Sequence, residues 1–272
     1  MQLSAKEVKR LKHKYGEWAV VTGASSGIGL EIARQLAFCN FNLVIVARNY
    51  EKLKEVESAI LAKHSVRIIV IASDVSQSGG IDEIIKATQH LNIGLLVNAA
   101  GFGSSGLFLD TSVHAETNML RTNCESVLQL THYFAQKFKQ QKRGGIILFS
   151  SIVAFQGVPY SANYAATKAY IQSLAEALSI ELKPFGIDVL SAAPGPVYSG
   201  FAKRANMNMG MAQTPEQVGV PILKALGKKK TVFPGNLTKF LVYSLQLLPR
   251  WGKILVMKQI MYGMSRQNEG GK

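Results

Sequence analysis

Cysteine is scarce in this chain, with only Cys39 and Cys124 among 272 residues. They stand far apart and outside any CxxC or histidine-bearing metal pattern. That excludes a disulfide framework, argues against a structural zinc and points to free thiols in a reducing compartment. Long hydrophobic runs are missing too. No stretch of eighteen apolar residues could form a spanning helix, and the lysine-bearing N-terminus offers no apolar core for a signal peptide, so a cytoplasmic protein is expected. No internal repeat or low-complexity segment is visible. Acids are the third shortage: 17 Asp and Glu face 31 Lys and Arg, a net charge of +14. Residues 1–14 hold five Lys or Arg and one Glu, residues 15–202 fourteen of each sign, and residues 203–272 twelve Lys or Arg and two Glu. A neutral middle with two basic ends argues against a uniformly basic surface. The ends either form solvated faces or meet something acidic, such as an anionic membrane surface. No nucleic acid is expected, because no aromatic-rich basic strand or recognition motif accompanies the charge.

What is present is an apolar fraction of 47%, enough for a well-filled interior in a chain whose length suits one large domain. Apolar, β-branched runs alternate with helical patterns through the first two hundred residues. Glu17 to Thr22, Leu43 to Ala47, Arg67 to Ala72, Ile93 to Val97, Gly145 to Phe149 and 186–192 read as strands, with a short one at Thr231 to Phe233. This order predicts an α/β fold: a doubly wound, Rossmann-type parallel sheet of about seven strands with helices on both faces, ligands binding along the carboxyl ends of the strands. Residues 1–15 read as a basic amphipathic helix preceding the fold proper, 16–235 as the dinucleotide-binding and catalytic domain, and 236–272 as an apolar-basic helical extension.

The first strand stops at Gly23, and Gly23-Ala24-Ser25-Ser26-Gly27-Ile28-Gly29 leads into a helical pattern. Glycines there let the backbone turn tightly and approach a pyrophosphate, whose charge then sits on the unpaired amides at the helix start. The second strand closes at Ala47-Arg48 with no acid to accept from a ribose hydroxyl, and an arginine beside that position suits a 2′-phosphate; this favours NADP over NAD unless Arg48 is merely an exposed helix-start residue. Asp74-Val75 follows the third strand, where the carboxylate either meets an adenine amine or caps a turn. The fourth strand runs into Asn98-Ala99-Ala100-Gly101, small residues that let backbones come close, with Asn98 placed to tie adjacent loops. Residues 113–140 read as one long helix containing Asn123. Ser151 stands at the tip of the fifth strand, thirteen residues before Tyr164. Tyr164 and Lys168 are four apart on the next helix and share a face, so an ammonium can lower the pKa of a phenol that otherwise ionises near ~10. Residues 196–213, with Phe201, Met207, Met209 and Met211 and no clear period, read as a mobile flap over a substrate or a loosely packed loop.

Taken jointly, TGASSGIG, NAAG, Asn123, Ser151, YAATK and PGPV at these spacings resemble the short-chain dehydrogenase/reductase family over about 17–235. Ala99 departs from the commoner NNAG, and Thr167 replaces a frequent serine. The resemblance implies a tetrad in which Tyr164 exchanges the substrate proton, Lys168 lowers its pKa and holds the nicotinamide ribose, Ser151 hydrogen-bonds the carbonyl oxygen and Asn123 keeps a water. It implies a cofactor site formed by Gly23, Ser25, Ser26, Gly27, Ile28, Gly29, Arg48, Asp74, Val75, Asn98, Ala99, Gly101, Tyr164, Lys168, Pro194, Gly195, Val197 and Ser199. No metal is expected. The implied activity is NADP(H)-preferring oxidation or reduction of a small-molecule alcohol/carbonyl pair, with a catalytically silent NADP(H)-binding scaffold or sensor as the alternative. A homodimer or homotetramer through the helices containing Asn123 and Tyr164 is implied as well.

Beyond residue 235 the pattern thins. Leu237 to Leu248, Pro249-Arg250-Trp251 and Ile254 to Met264 mix apolar residues with Lys239, Arg250, Lys253 and Lys258. Each apolar piece is too short to cross a bilayer. The tail reads either as a cover for the substrate pocket or a subunit interface, or, together with the basic N-terminal helix, as a peripheral membrane anchor.

Overall fold

The computed structural model describes residues 2–205, 207 and 212–266. Its centre is a seven-stranded sheet in the order β3-β2-β1-β4-β5-β6-β7, every neighbouring pair parallel. The strands are β1 (Trp18–Thr22), β2 (Asn42–Ala47), β3 (Ile68–Ala72), β4 (Ile93–Asn98), β5 (Gly144–Phe149), β6 (Ile187–Ala192) and β7 (Thr231–Val232). The helices before and between them are α1 (Ala5–Tyr15), α2 (Gly27–Phe38), α3 (Tyr50–Leu61), α4 (Ser78–Thr88), α5 (Val113–Leu120), α6 (Ser126–Gln141), α7 (Ala162–Glu181), α8 (Gly200–Arg204) and α9 (Pro215–Ala225); α10 (Asn236–Gln246) and α11 (Arg250–Arg266) follow the last strand.

The central strands are buried on both faces, which is why they read as unbroken apolar runs instead of alternating ones. Successive residues nevertheless serve different cores. Val21, Ile45 and Val97 join the layer containing α2, α3 and α9, whereas Val20, Val44 and Leu96 join the layer containing α4, α6 and α7. The chain leaves β1 for β2 and β3 on one side, then returns to place β4 on the other side of β1. The crevice between the loops after β1 and β4 is the point where such a sheet binds its ligand.

Two expectations need correction. The helix α1 does not merely precede the fold. Leu11 and Tyr15 are fully buried in the core, and Arg10 donates to the Leu226 and Leu223 carbonyls at the end of α9 at 2.7 and 3.0 Å. Tyr15 sits against Gly94 and Gly145, at the amino ends of β4 and β5, and its hydroxyl donates to Asp188 at 2.8 Å. Lys14 and Lys183 pair with the same carboxylate at 2.5 and 3.1 Å. Part of the charge that made this segment look like a membrane anchor, that of Arg10 and Lys14, is therefore paired inside the molecule, and Glu7 is held by Arg10 and Lys228, while Lys6 and Lys9 remain exposed. The second correction concerns the long helix. It is two helices, α5 and α6, joined by one π-helical turn, Arg121–Glu125, with Asn123 in its middle. The hydroxyls of Thr122 and Ser126 each donate to the carbonyl four residues earlier, at 2.9 and 2.7 Å, a bond that loosens the regular ladder.

Candidate active site

A cleft of about 1030 Å3 runs along the carboxyl ends of the strands. Its floor at one end is the turn after β1. Gly23 and Gly27 have φ of 67° and 58°, in the left-handed region. A Cβ on Gly29 would lie 2.4 Å from the Gly23 carbonyl oxygen, and one on Gly23 would lie 2.8 Å from the Ala99–Ala100 peptide. Side chains are excluded here by backbone, so the turn and the loop after β4 stay in contact; Ala100 N–H also donates to the Thr22 hydroxyl at 3.0 Å. Ser26 caps α2 without a side-chain bond to its amides. The first-turn N–H groups and the positive end of the helix thus face the cleft, a fit for a pyrophosphate.

Further along this end, Arg48, Lys52, Asp74 and Val75 line the cleft. Arg48 is exposed, one residue before the Asn49 cap of α3. Asp74 serves its local turn, accepting from Ser76 N–H at 2.9 Å, and borders the cleft at the same time. Across from them stands Arg204, from α8, 6.0 Å over the Phe102 ring; burial and the charge of Arg48 both pull its pKa down. Three cations, Arg48, Lys52 and Arg204, thus border this end of the cleft with one acid, Asp74, whose carboxylate accepts from its own turn. Arg204 and Lys52 escaped the sequence reading because nothing in the spacing of 196–213 or of the charged α3 pattern marks which side faces inward.

The other end of the cleft holds the hydroxyl, phenol and ammonium. Ser151 follows β5 and caps the short 3-10 turn Ile152–Phe155, its Oγ accepting from Val153 N–H at 3.4 Å. Tyr164 and Lys168 project from α7, and both line the cleft with Ser151. Burial pushes the Tyr164 phenol well above its ordinary value, and its hydrogen bond with Ser151 offsets only part of that. Burial likewise pulls the Lys168 ammonium down to about 8. Its Nζ lies 5.5 Å from the centroid of the Tyr164 ring and donates to the Phe149 carbonyl at 2.9 Å. Phenol and ammonium are adjacent, as the spacing requires. The lysine is engaged by a backbone carbonyl and lies over the face of the ring.

Asn123 and Asn98 are the two sequence-chosen residues that do not line the cleft. Asn123 is 1% exposed and spends its amide on structure: Oδ1 accepts from Phe102 N–H at 3.1 Å, and Nδ2 donates to the Phe102 carbonyl at 2.8 Å and the Thr167 hydroxyl at 3.1 Å. It holds the loop after β4 against α7, one turn from Lys168. Asn98 does tie elements together, but β4 to α6, through Nδ2 and the Thr131 hydroxyl at 3.2 Å. All the other positions named for the cofactor border the cleft, from Ser25 and Ile28 at the turn to Gly101, Pro194, Gly195, Val197 and Ser199. Ser199 packs on Gly27, whose Cβ would come 3.0 Å from its own, so the segment after β6 lies across the glycine turn.

The roof is built from the segment expected to be a flap and from the tail. Phe201 packs on the Tyr164 ring with centroids 5.3 Å apart. Ala205 and Met207 are buried with Met257 and Met261 of α11, and a bridge joins Val197 to Gln213, so the described part of 196–213 is packed under the tail instead of free. Met209 and Met211 lie outside the described residues. Leu241 and Leu245 of α10 and Met257, Ile260, Met261 and Met264 of α11 close the cleft with apolar, mostly unbranched side chains. The tail is keyed to the site at Gly195, where a Cβ would meet Thr238 Oγ1 at 2.8 Å, and by Tyr262 against Tyr160 at 5.8 Å. Both cysteines are free, and burial pushes each thiol up to about 11, so neither is a nucleophile at neutral pH.

Known proteins match this arrangement. The family model described as short chain dehydrogenase matches residues 17–210. A 7beta-hydroxysteroid dehydrogenase of Mediterraneibacter gnavus is 30% identical over 246 residues, covering 86% of this chain and 91% of that protein. A very-long-chain 3-oxoacyl-CoA reductase of Neurospora crassa is 38% identical over 220 residues, 79% of this chain and 65% of that one. Among solved structures, one described as giving insight into 7beta-hydroxysteroid dehydrogenase stereoselectivity superposes with a TM-score of 0.84 at 28% identity, over 91% of this chain and 98% of that one. A short-chain dehydrogenase from Sphingobium yanoikuyae in complex with NADPH superposes with a TM-score of 0.76 at 25% identity, over 80% and 87%. A glycine turn, a buried hydroxyl-phenol-lysine cluster and a matching family model over most of its length make this chain an oxidoreductase of the short-chain dehydrogenase/reductase family.

Proposed function

We propose that the protein is an NADP(H)-dependent reductase of a lipophilic ketone, of steroid or acyl-chain type. The observation that carries this reading is the two-ended cleft: a glycine turn with Arg48 and Arg204 at one end, an apolar methionine and leucine roof at the other, and Ser151, Tyr164 and Lys168 between them. The bound nicotinamide supplies hydride to the carbonyl carbon. Everything else falls to the chain. The turn at Gly23–Gly29 and the start of α2 hold the pyrophosphate; Arg48, with Lys52 and Arg204 beside it, accepts the 2′-phosphate.

At the reacting end, negative charge grows on the carbonyl oxygen, and the Ser151 hydroxyl and Tyr164 phenol are the donors beside it. A phenol whose pKa is raised by burial reaches neutral pH with its proton in place, the state needed by a group that protonates an alkoxide. Lys168 takes the ribose hydroxyls and places its charge near the phenol, while Asn123 acts as a positioning residue through Phe102 and Thr167. Relatives named for a steroid alcohol and for acyl-CoA ketones agree with the apolar roof. A homo-oligomer follows the family habit, with Leu128 of α6 and Tyr170 of α7 exposed for contact.

Fluorescence titration with NADPH and NADH, followed by a panel of steroid ketones and 3-oxoacyl thioesters, tests the reading. It expects tighter binding of NADPH and turnover of at least one of the two ketone classes. Tight NADPH binding with no turnover of either class would replace the reductase by a silent sensor, and preference for NADH would remove the role given to Arg48.

A further inference from the structure

The helices that roof the cleft have a second face. While Met257, Met261 and Met264 of α11 point inward, Trp251 and Leu255 point outward and are 69% and 56% exposed. In α10 and its end, Phe240, Tyr243 and Leu247 recur at i, i+3 and i+7 and are 68%, 58% and 88% exposed. Five large apolar or aromatic side chains thus stand in solvent within sixteen residues on two consecutive helices, a density in the chain that scattered surface hydrophobics do not have. Charge is the second observation. Residues 236–266 contain five Lys or Arg and no Asp or Glu. Among the described residues Lys239, Arg250 and Lys258 are exposed beside the apolar row, with Lys253 half-buried. A protein partner would have to be unusually acidic and apolar together. A sheet of anionic headgroups over hydrocarbon offers both complements at once. Among the described residues no helix is long and apolar enough to cross a membrane, so the contact is one of lying on the surface.

We propose that the outer face of α10 and α11 docks on an anionic lipid bilayer, with Phe240, Tyr243, Leu247, Trp251 and Leu255 entering the headgroup boundary and Lys239, Arg250, Lys253 and Lys258 meeting the phosphates. The basic N-terminal helix takes no part. It lies at the amino ends of the strands, with Lys14 and Arg10 paired, while the tail covers the carboxyl ends. Docking by the tail alone sets the roof of the cleft against the lipid, so that one helical layer presents aromatic residues to the bilayer and methionines to the cavity.

The test uses the full chain with vesicles of neutral phosphatidylcholine and of phosphatidylcholine with phosphatidylglycerol. Cosedimentation is expected with the anionic vesicles at low salt, to weaken as salt screens the headgroups, and to fall at least ~10-fold in Lys253→Glu/Lys258→Glu and in Phe240→Ser/Trp251→Ser. Because Trp18 is 4% exposed and Trp251 is the second of two tryptophans, a blue shift of emission on adding vesicles reports burial of Trp251 itself. Thermal melts of the variants, all at exposed or half-exposed positions, separate lost docking from lost folding. Absence of binding at low salt, binding indifferent to headgroup charge, or a patch already covered by a second copy of the chain, seen as Trp251-dependent self-association without lipid, each overturns the proposal. None of these readouts involves cofactor or ketone, so the proposal stands or falls apart from the assigned reaction.

Discussion

The two edges of the sheet treat buried polar groups in opposite ways. At the amino edge, Asp188 is 6% exposed and has three donors, from Tyr15, Lys14 and Lys183. Burial alone would raise its carboxyl; those hydrogen bonds outweigh burial and hold it below the ordinary carboxylate range. At the carboxyl edge, Lys168 is as deeply placed and Tyr164 partly buried, and both are shifted against their charged forms. A fold that gathers three donors around one buried carboxylate at one edge gives a phenol and an ammonium only neutral partners, Ser151 and the Phe149 carbonyl, at the other. The lesson is that the first arrangement stabilises the chain, and the second keeps reactive groups poised for a ligand to complete.

Substitutions at each edge sharpen this contrast. The largest effect is expected for Tyr164→Phe, which removes the proton donor without changing volume. Turnover of a ketone should fall by roughly 1000-fold while the melting temperature stays within a few degrees of wild type. A mutant that still turns over near the wild-type rate would break the division of labour. Next is Gly29→Ala, whose Cβ would press on the Gly23 carbonyl. NADPH affinity should drop by about 100-fold in a fluorescence titration, since the turn must open to relieve a backbone clash. The amino edge responds in the other currency. Asp188→Ala leaves the buried Tyr15 hydroxyl unpaired and should cost about 2 kcal/mol in urea unfolding, with ketone turnover unchanged.

Acid exposes the same carboxylate. Its folded pKa lies below the unfolded value of roughly 4. The contribution is therefore fully present above about pH 4 and is lost as pH falls through the lower folded pKa. Unfolding curves of wild type should lose stability in that window, and Asp188→Ala should lose less. The smallest effect is expected at the rim, where Arg48→Ala should weaken NADPH by about 10-fold and NADH hardly at all. Equal losses for the two cofactors would take the 2′-phosphate away from Arg48.

How much of this was legible in the sequence depends on the range of the interactions. The glycine turn, the strands and the Tyr164–Lys168 pair follow from local rules: steric freedom, apolar runs and the spacing of a helix face. They stand where those rules put them. Asn123 lies outside the cleft lining, its amide consumed by Phe102 and Thr167, partners 21 and 44 residues away that no local pattern reveals. The π-helical turn that carries it depends on two hydroxyl-to-carbonyl bonds within an otherwise regular helical pattern. Lys168 illustrates a different limit. Spacing brings its ammonium beside the phenol, but whether it bonds the hydroxyl, a carbonyl or the ring face is decided by β5, through Phe149. A cover by the tail and by the segment holding Phe201 was among the sequence readings, but which of their side chains face the cavity was not, because an apolar residue in a basic helix reads the same whether it faces a cavity or water.

The central claim concerns where the nicotinamide ring lies. A crystal structure of the NADPH complex tests it most directly. The account predicts the ring beside Ser151 and Tyr164, its reactive carbon about 3–3.5 Å from the place a carbonyl carbon would take, with the Lys168 ammonium drawn from the Phe149 carbonyl to the ribose hydroxyls. A nicotinamide lying outside the cleft, with Phe201 still seated on Tyr164 and Lys168 still on Phe149, would contradict it.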